Sequence, residues 1–312
     1  MASYDIIGDI HGHAAELRGL LTRLGYRDSR GAWRHPDRTV IFLGDFVDRG
    51  PDQVETVNLV RRMVDAGTAL AVMGNHELNA IAWFTPDPAA PGEYLRPRDV
   101  PVLGAKNRRQ HAQFLAEVEH DPGLHRELIE WFFTLPLWLD LPDVRVVHAC
   151  WHPEHVASLI PQLAPGTRLT PELLVRATHA GEPDFVAVEC LTKGVETPLP
   201  EGIRVKDAEQ IERSDTRVRW WDTTATTFRT GAHAPKEVLD RLPDAPLPPG
   251  LCHGYADEKP LFVGHYWLLG SPTLLAPNLA CVDFSAGRGH PLVAYRYSGE
   301  PVLDPANFVA SR

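Results

Sequence analysis

Residues 39–50, TVIFLGDFVDRG, contain the pattern that decides the fold: a short apolar run that ends in glycine and is followed by carboxylates. In this segment the run itself is VIFLG (40–44). Four other segments are also short apolar runs that end in a small or polar turn, namely YDIIG (4–8), LAVMG (70–74), VRVVH (144–148) and LFVGH (261–265). Continuous runs of β-branched and aliphatic residues of this length are typical of buried strands. We therefore predict a strand at each of the five runs.

Helical periodicity separates the first three runs. Apolar residues recur there at spacings of three and four, which places them on one face of a helix. The two sets are Leu17, Leu20, Leu21 and Leu24, then Val54, Val57, Val60 and Val64. Gly67 is placed to end the second helix. The first third of the chain thus predicts alternating strands and helices, the pattern of an α/β sheet.

Two long segments, residues 85–143 and 152–257, interrupt this alternation. The first opens with the Pro-rich stretch TPDPAAPGEYLRPRDVP and continues into two predicted helices, near residues 107–120 and 124–133. Neither an internal repeat nor a low-complexity linker marks a domain boundary. We therefore expect one domain, residues 1–312, with both segments as cap-like insertions.

Two further elements are predicted outside the five strands. Thr170 and Pro171 suit the cap and the first position of a helix. The tail from Leu274 alternates enough, in LACVDFS and PLVAYRY, to add two or three strands. We expect those strands to be antiparallel.

Composition excludes several classes of protein. With 44% hydrophobic and 23% charged residues, the 312-residue chain has the composition of a globular protein, and it contains no apolar run long enough to span a bilayer. The start, MASYDIIGD, has neither the basic nor the apolar region of a secretory signal, so we expect a cytoplasmic location.

A net charge of −10 argues against an extended nucleic-acid surface. The four cysteines are far apart and include no CxxC pair, so we expect reduced thiols.

Potential metal ligands lie at or just beyond the end of every predicted strand. In open α/β sheets, ligands collect outside the carboxyl ends of strands, so these side chains are expected to meet in one crevice. Taken singly, such a residue is more often a helix cap or turn former. Five consecutive strand ends with this property argue for a site. The residues are Asp9, His11, Asp45, Asn75, His148 and His265.

The mixture of carboxylate, imidazole and amide oxygen in these residues suits manganese, iron or zinc better than calcium. Six ligands with one shared carboxylate fit two ions better than one. Two divalent ions can clamp a phosphoryl oxygen, activate water and stabilise in-line displacement. The residues therefore predict hydrolysis of phosphate esters or anhydrides, with two divalent ions as cofactors. We expect manganese first, with iron, zinc, nickel or cobalt as alternatives.

Three sequence blocks resemble the signature blocks of the calcineurin-like metallophosphoesterases, in the form typical of the phosphoprotein phosphatase superfamily. They are GDIHG (8–12), GDFVDRG (44–50) and GNHE (74–77). The resemblance implies a four-layer αββα sandwich of two mixed sheets with helices outside. It also implies how the metals are shared: Asp9 and His11 bind the first, Asp45 bridges, and Asn75, His148 and His265 bind the second.

The same resemblance implies three catalytic residues that are not ligands. His76 would protonate the leaving group, Asp48 would orient His76, and Arg49 would bind the phosphate. The chemistry agrees, because an imidazole near a dication-rich pocket is a reasonable general acid and a guanidinium pairs with phosphate in a bidentate manner.

Later segments resemble the phosphatase module of bacterial polynucleotide kinase-phosphatases, and the chain also resembles dinucleoside tetraphosphatases. The segments are LTKGVETPLPEG (191–202), RVRWWD (217–222) and FVGHYW (262–267). On this resemblance Lys193 and Glu196 belong to the cap side of the pocket, and Tyr266 flanks His265. Trp220 and Trp221 could stack on a base, but core packing is the commoner role and is expected for at least one of them. No GxxxxGK[ST] motif is present, so the kinase half has no counterpart here.

Some positions depart from the protein phosphatases. Those enzymes have a glycine pair after the fourth-block histidine, where this chain reads VVHACWH, and they carry a second phosphate-binding arginine. The candidates for that arginine are Arg204, Arg213, Arg217 and Arg219, each of which could equally be a surface charge. His152 is expected beside the ligands. Asp283 is placed either to accept the free ring nitrogen of a bound histidine or to be an ordinary strand-end residue.

The sequence therefore predicts a dinuclear-metal phosphoesterase that acts on a small phosphorylated molecule, such as a nucleotide or dinucleoside polyphosphate. A serine/threonine protein phosphatase is the alternative enzyme, with a phosphoprotein as its partner. A catalytically silent phosphate-binding module is a third possibility. Asp48, Arg49 and His76 argue against the silent module, because such a protein has no need of a proton donor.

Overall fold

The structure is a computed structural model that describes residues 3–206 and 212–312. The first five strands follow one another through the first quarter of the chain, and the others lie beyond residue 137. In chain order the strands are β1 (Tyr4–Ile7), β2 (Arg27–Ser29), β3 (Ala32–Arg34), β4 (Thr39–Phe42), β5 (Ala69–Ala71), β6 (Trp138–Asp140), β7 (Arg145–Val147), β8 (Glu196–Pro198), β9 (Val205–Lys206), β10 (Glu212–Arg213), β11 (Asp215–Arg217), β12 (Leu261–Val263), β13 (Leu279–Cys281), β14 (Val293–Tyr297) and β15 (Phe308–Ala310).

The helices connect these strands and also fill the two insertions. They are α1 (Ala14–Arg23), α2 (Gln53–Asp65), α3 (Asn75–Phe84), α4 (Leu103–Gln110), α5 (Ala112–Val118), α6 (Pro122–Phe132), α7 (Pro153–Leu159), α8 (Pro171–Thr178), α9 (Pro183–Lys193), α10 (Phe228–Gly231) and α11 (Lys236–Leu239). Short 3₁₀ turns lie at Ile160–Gln162, Ala286–Arg288 and Pro305–Asn307. Across the described ranges, no helix combines the length and apolar character that a membrane crossing requires.

Two main sheets contain all five predicted strands. The first has the order β15-β14-β1-β4-β5, and β1, β4 and β5 run parallel. The second has the order β13-β12-β7-β6, and β13, β12 and β7 run parallel. The five predictions are confirmed, although each strand ends before the glycine or histidine that closes its run. Those last residues begin the loops that carry the predicted site.

The tail of the chain adds three strands, one of which departs from the prediction. β14 pairs antiparallel with β1, and β15 pairs antiparallel with β14, as expected. β13 instead lies parallel to β12. The antiparallel prediction is wrong for β13, because the chain crosses from one end of the sheet to the other between residues 264 and 278 instead of turning back in a hairpin.

The core lies in layers set by the alternation of side chains along the strands. Ile6 and Ile41 point toward the second sheet and pack with Val146 and Phe262. The neighbouring side chains in the first sheet point the other way, toward the leucines and valines of α1 and α2. The arrangement is consistent with the α/β sandwich of two mixed sheets that the resemblance implies.

The insertion at 85–143 contains three helices where two were predicted. The segment 107–120 is divided into α4 and α5 at His111, whose backbone (φ −106°, ψ 9°) leaves the helical conformation. The segment 124–133 corresponds to α6, capped by Asp121. In the second insertion the predicted cap is confirmed, because the Thr170 hydroxyl accepts from the backbone N–H of Leu173 at 3.1 Å.

A buried ion cluster joins β1 to the two strands that flank it, β14 and β4. Asp5 is fully buried, and its carboxylate accepts from Nε of Arg38 at 3.0 Å and pairs with Nε of Arg296 at 3.2 Å. Asp5→Ala would leave the half-buried Arg38 guanidinium without its carboxylate partner. We expect a loss of about 3–5 kcal/mol in the free energy of unfolding, measured by urea denaturation. Asp28→Ala in the exposed strand β2 is the control, and a loss no larger than that of the control would contradict the prediction.

Candidate metal centre

The loops after β1, β4 and β12 have an unusual backbone at the predicted site residues. The φ angles are 48° at His11, 53° at Asp45, 69° at Asp48, 77° at Arg49 and 71° at His265. Residues other than glycine seldom adopt positive φ, because the side chain then approaches the backbone. Such strain concentrates at functional sites, where the surrounding structure holds it in place.

Two glycines allow the loops after β4 and β5 to touch. Gly44 has φ +88°, and a Cβ there would lie 2.3 Å from the backbone nitrogen of Gly74. A Cβ on Gly74 would lie 2.2 Å from Oδ1 of Asp45. Since no other residue fits this contact, the glycines of the second and third blocks bring Asp45 against the start of α3.

Glu77 fixes the same contact through its buried carboxylate. Its two oxygens accept backbone N–H groups from Asp45 at 2.7 Å, Phe46 at 2.8 Å and Gly74 at 3.0 Å. The sequence signal is a Glu three residues after a helix cap, the position of a capping box. In this chain that carboxylate also holds the neighbouring loop.

All six predicted ligands are less than a tenth exposed, and Asp45 lies at their centre. Its Oδ2 is 3.4 Å from Nε2 of His148, and 3.8 Å from Nε2 of both His11 and His76. Two groups of donor atoms, each within 4.8 Å, share this carboxylate: Asp45 with His11 and His76, and Asp45 with His148 and His265. The geometry is thus that of two adjoining cation sites with one common carboxylate.

Backbone carbonyls orient two of the imidazoles. Nδ1 of His11 donates to the carbonyl of Val47 at 2.9 Å, and Nδ1 of His148 donates to that of Leu43 at 2.6 Å. A ring that donates through Nδ1 keeps the Nε2 lone pair for a metal. Both rings direct Nε2 toward Asp45.

His265 provides the clearest sign that the centre is built for a cation. The ring is buried, and neither of its nitrogens has a hydrogen-bond partner among the described residues. An unpaired buried imidazole is costly unless something outside the protein binds it. Together with the carboxylates of Asp9 and Asp45, this donor set fits two divalent ions.

The two remaining predicted ligands lie at the edges of this arrangement. Asp9 accepts the backbone N–H of His265 at 3.1 Å, and Oδ1 of Asn75 is 3.3 Å from Nε2 of His148. Both are adjacent to the second group of donors. In the first group, the position expected for Asp9 is taken by His76, which the resemblance assigns as a proton donor.

The electrostatics of the centre also favour a bound cation. Burial and the neighbouring Asp283 raise the pKa of Asp9 well above its usual range. Burial and the Arg217 guanidinium lower the pKa of His265. Although burial opposes it, His148 and His76 hold the pKa of Asp45 well below its usual range. Buried carboxylates and imidazoles that share protons this closely form a site where a divalent cation replaces protons.

Next to this centre, Asp48 binds two histidines. Nδ1 of His76 donates to its Oδ2 at 2.5 Å, and Nδ1 of His111 donates to its Oδ1 at 2.7 Å. Gln53 accepts the backbone N–H of Asp48 at 2.5 Å. Burial would raise the pKa of Asp48, but His111 and His76 outweigh it and lower the pKa. Asp48 is therefore an ionised carboxylate that directs Nε2 of His76 toward Asp45.

His111 is a contributor that the sequence patterns did not indicate. It lies 63 residues from Asp48, in the break between α4 and α5, and is only 2% exposed. Its ring packs against Phe114 and Trp83. The insertion therefore reaches into the site and supplies the second partner of Asp48.

We expect His111→Phe to reduce kcat about tenfold and to leave KM within twofold, because Asp48 would keep only one of its two positioning partners. The measurement is steady-state hydrolysis of p-nitrophenyl phosphate. His125→Phe is the matched control, since His125 is also buried in this insertion and its Nε2 has no partner within the described chain. Equal effects of the two variants would assign His111 to packing alone.

The predicted phosphate ligand Arg49 lies at the mouth of the centre. Its guanidinium carbon is 3.7 Å from the ring centroid of Trp267, two residues after His265. Arg49 also contributes to the low pKa of His11, after burial and His76. Arg49 is therefore close to the first group of donors and is stacked on an aromatic ring.

Of the four candidates for a second phosphate-binding arginine, Arg217 is one whose charge acts on a predicted ligand. Arg217 lowers the pKa of His265 and pairs with Glu196 at 3.6 Å. Arg219 instead pairs with Asp222 at 3.6 Å, and Arg204 is exposed and donates to the carbonyl of Ile203. Arg213 lies in β10, away from the ligand loops in sequence. Arg217 thus stays a candidate.

Asp283 takes one of the two roles left open for it, and His152 lies elsewhere than expected. The carboxylate of Asp283 accepts the backbone N–H groups of Trp267 at 2.6 Å and Ser285 at 2.9 Å, so it bonds no histidine ring. His152 packs on His155 at 4.1 Å between ring centroids, away from the ligand imidazoles. In sequence these residues look like neighbours of the ligands, but the chain turns away into α7 after Cys150.

The aromatic residues of the walls are mainly structural. Trp220 is fully buried, as expected for at least one of the tryptophan pair, and donates through Nε1 to Tyr266 at 2.7 Å. Trp221 packs against Tyr266, whose ring is 5.6 Å from His265. Lys193 pairs with Glu189. The four cysteines are free thiols, as predicted.

Comparisons with known proteins agree with this geometry. The profile of the calcineurin-like phosphoesterase family matches residues 3–157. The asymmetrical bis(5'-nucleosyl)-tetraphosphatase PrpE of Halalkalibacterium halodurans is 50% identical over 74 residues, covering 23% of this chain and 30% of that protein. The protein of the same name from Oceanobacillus iheyensis is 30% identical over 154 residues, covering 49% of this chain and 57% of that protein. The chain thus matches these curated relatives over about half of their length or less.

A solved structure supports the fold over nearly the whole chain. A protein serine/threonine phosphatase from Saccharomyces cerevisiae superposes with a TM-score of 0.52 at 15% identity, covering 99% of this chain and 78% of that one. At this identity the likeness concerns the fold alone. The motifs, the paired donor groups and the profile match lead to one conclusion. Through residues 3–157, the chain belongs to the calcineurin-like phosphoesterase family.

Proposed function

We propose that the protein is a dinuclear-metal phosphohydrolase that cleaves a phosphoanhydride of a nucleotide, with a dinucleoside polyphosphate as the first candidate substrate. The observation that carries the proposal is the buried pair of Asp48 and His76 beside the shared carboxylate of Asp45. A module that only bound phosphate would not need an oriented proton donor. The PrpE relatives support a nucleotide substrate.

The residues that would hold the two ions are the six strand-end ligands, and manganese is our proposal for the metal in use. Asp45 would be shared, and the backbone contacts of His11 and His148 would keep Nε2 of each ring available. When bound, divalent ions supply a nucleophilic oxygen at neutral pH and stabilise charge on the phosphoryl group. Burial of the ligands excludes bulk water, which strengthens these interactions.

Two residues that are not metal ligands would act on the substrate. Arg49, close to His11 and stacked on Trp267, would pair with the phosphoryl oxygens. His76, held by Asp48 through Nδ1, would donate the Nε2 proton to the departing oxygen. We further propose that residues 1–312 form one unit, in which the insertions at 85–143 and 152–257 are walls of the site.

A substrate panel tests the proposal. The purified protein with manganese would be assayed with diadenosine tetraphosphate, nucleoside monophosphates, 2′,3′-cyclic nucleotides and a phosphothreonine peptide. We expect the highest kcat/KM with the tetraphosphate. A higher value with the phosphopeptide would favour the protein phosphatase alternative. Binding of phosphate without turnover of any substrate, across several metals, would make the protein a silent binding module.

A further inference from the structure

The segment after β12 places a strained tryptophan at the mouth of the metal centre. Trp267 has φ 53°, an unusual conformation for a bulky residue, and its backbone N–H is held by the Asp283 carboxylate at 2.6 Å. The indole is half-buried and lies 5.8 Å from the ring of His11. The protein therefore maintains backbone strain to keep this ring beside the first ligand.

Two guanidinium groups lie over this one ring. The guanidinium carbon of Arg49 is 3.7 Å from the Trp267 centroid, and that of Arg288 is 4.0 Å from it. Cation–π contacts favour each arginine, and the two guanidinium groups bring two positive charges to one ring. An anion beside the ring would be attracted by both charges.

Arg288 is joined to the centre by a close backbone contact. A Cβ on Gly287 would lie 2.7 Å from Cδ2 of His11 and 2.9 Å from Cδ of Arg49, so the turn at 286–288 is packed directly against both side chains. Arg288 itself is exposed, and no ion pair joins it to a carboxylate within the described ranges. In a chain of net charge −10, an unneutralised guanidinium next to the catalytic arginine is suited to an anionic ligand.

We propose that Arg288 and Trp267 form a subsite for the phosphate group next to the one that is attacked, and that this subsite selects polyphosphate chains over simple monoesters. Arg49 would bind the attacked phosphoryl group, and Arg288 would bind the following one across the indole. The inference rests on the proposed function, because it names the substrate class of the same site. Arg288 is a specificity residue in this proposal, because a monoester has no second phosphate for it to bind.

The first test measures binding independently of the natural substrate. Tripolyphosphate and orthophosphate are compared as inhibitors of p-nitrophenyl phosphate hydrolysis at fixed free manganese. The wild type should bind tripolyphosphate more tightly than orthophosphate. In Arg288→Ala, the inhibition constant of tripolyphosphate should rise about tenfold, and that of orthophosphate should change little. Arg288→Lys should recover part of the lost affinity for tripolyphosphate. Arg109→Ala removes an exposed arginine of α4 and should change neither inhibition constant. An unchanged ratio of the two inhibition constants in Arg288→Ala would overturn the proposal.

The second test uses turnover. For Arg288→Ala, we expect kcat/KM to fall about tenfold with diadenosine tetraphosphate and to stay within twofold with p-nitrophenyl phosphate. Equal losses on both substrates would contradict the subsite. If the wild type does not cleave the tetraphosphate at all, the proposed function fails, while the inhibition test still decides whether the polyphosphate subsite exists.

Discussion

His76→Ala is expected to lower kcat about 10²–10⁴-fold while two metal ions remain bound. The reason is the geometry of the Asp48 pair: Nδ1 of His76 donates to Asp48 at 2.5 Å, so in the imidazolium form it is Nε2 that carries the transferable proton. Hydrolysis rates and metal content would be measured on the same preparation. His120→Ala, an exposed histidine at the end of the α5 segment, is the control.

The size of the rate loss in His76→Ala should depend on the leaving group of the substrate. A p-nitrophenolate leaves readily without a proton, whereas an alkoxide needs one, so the loss in His76→Ala should be smaller with p-nitrophenyl phosphate than with an alkyl phosphate. Equal losses on the two substrates would argue against proton donation.

Metal content decides between the two roles that the structure allows for His76. Its Nε2 is as far from Oδ2 of Asp45 as that of His11, 3.8 Å in both cases, and the first donor group includes it. If His76→Ala lost one metal ion, His76 would be a ligand and the acid assignment would be wrong. If both ions were retained, Asp9 and His11 would be assigned as the ligands of the first metal site.

The strands, and the meeting of the six candidate ligands at the strand ends, could be predicted from sequence because each depends on local pattern. An apolar run predicts a buried strand, and the residue that follows it must lie at the end of the sheet. The glycines in the blocks, such as Gly74, reinforce this, because the close contact with Asp45 excludes any side chain. The parallel pairing of β13 could not be predicted in this way, since it depends on the path of the loop that precedes it.

The roles of His111 and Arg288 could not be predicted from the sequence, for a different reason. His111 reaches Asp48 only because α4 ends and α5 begins at that residue, and the helical periodicity of 107–120 gave no sign of the break. Arg288 lies over Trp267 through a tertiary contact between two loops. Sequence spacing carries no information on such contacts, whereas it does place residues that follow a strand directly.

The other large effect is expected at the shared carboxylate. Asp45→Asn should reduce bound metal from two ions to one or none and lower kcat by at least about 10³-fold, because both donor groups include this residue. Asn75 and His265 would still be present, so the second ion could bind weakly and non-productively. Metal would be counted after dialysis against free manganese at a fixed level.

Asp52→Asn provides the matched control for that variant, since Asp52 lies in the same loop and its side chain caps no helix N–H. The carboxamide in Asp45→Asn keeps the size of the side chain and can still accept the backbone N–H of His76, now at 2.9 Å. The variant is therefore expected to fold, and unfolding by urea would verify this. If Asp45→Asn retained two ions and activity within tenfold of wild type, Asp45 would not bridge the centre, and the two donor groups would have to act as separate sites.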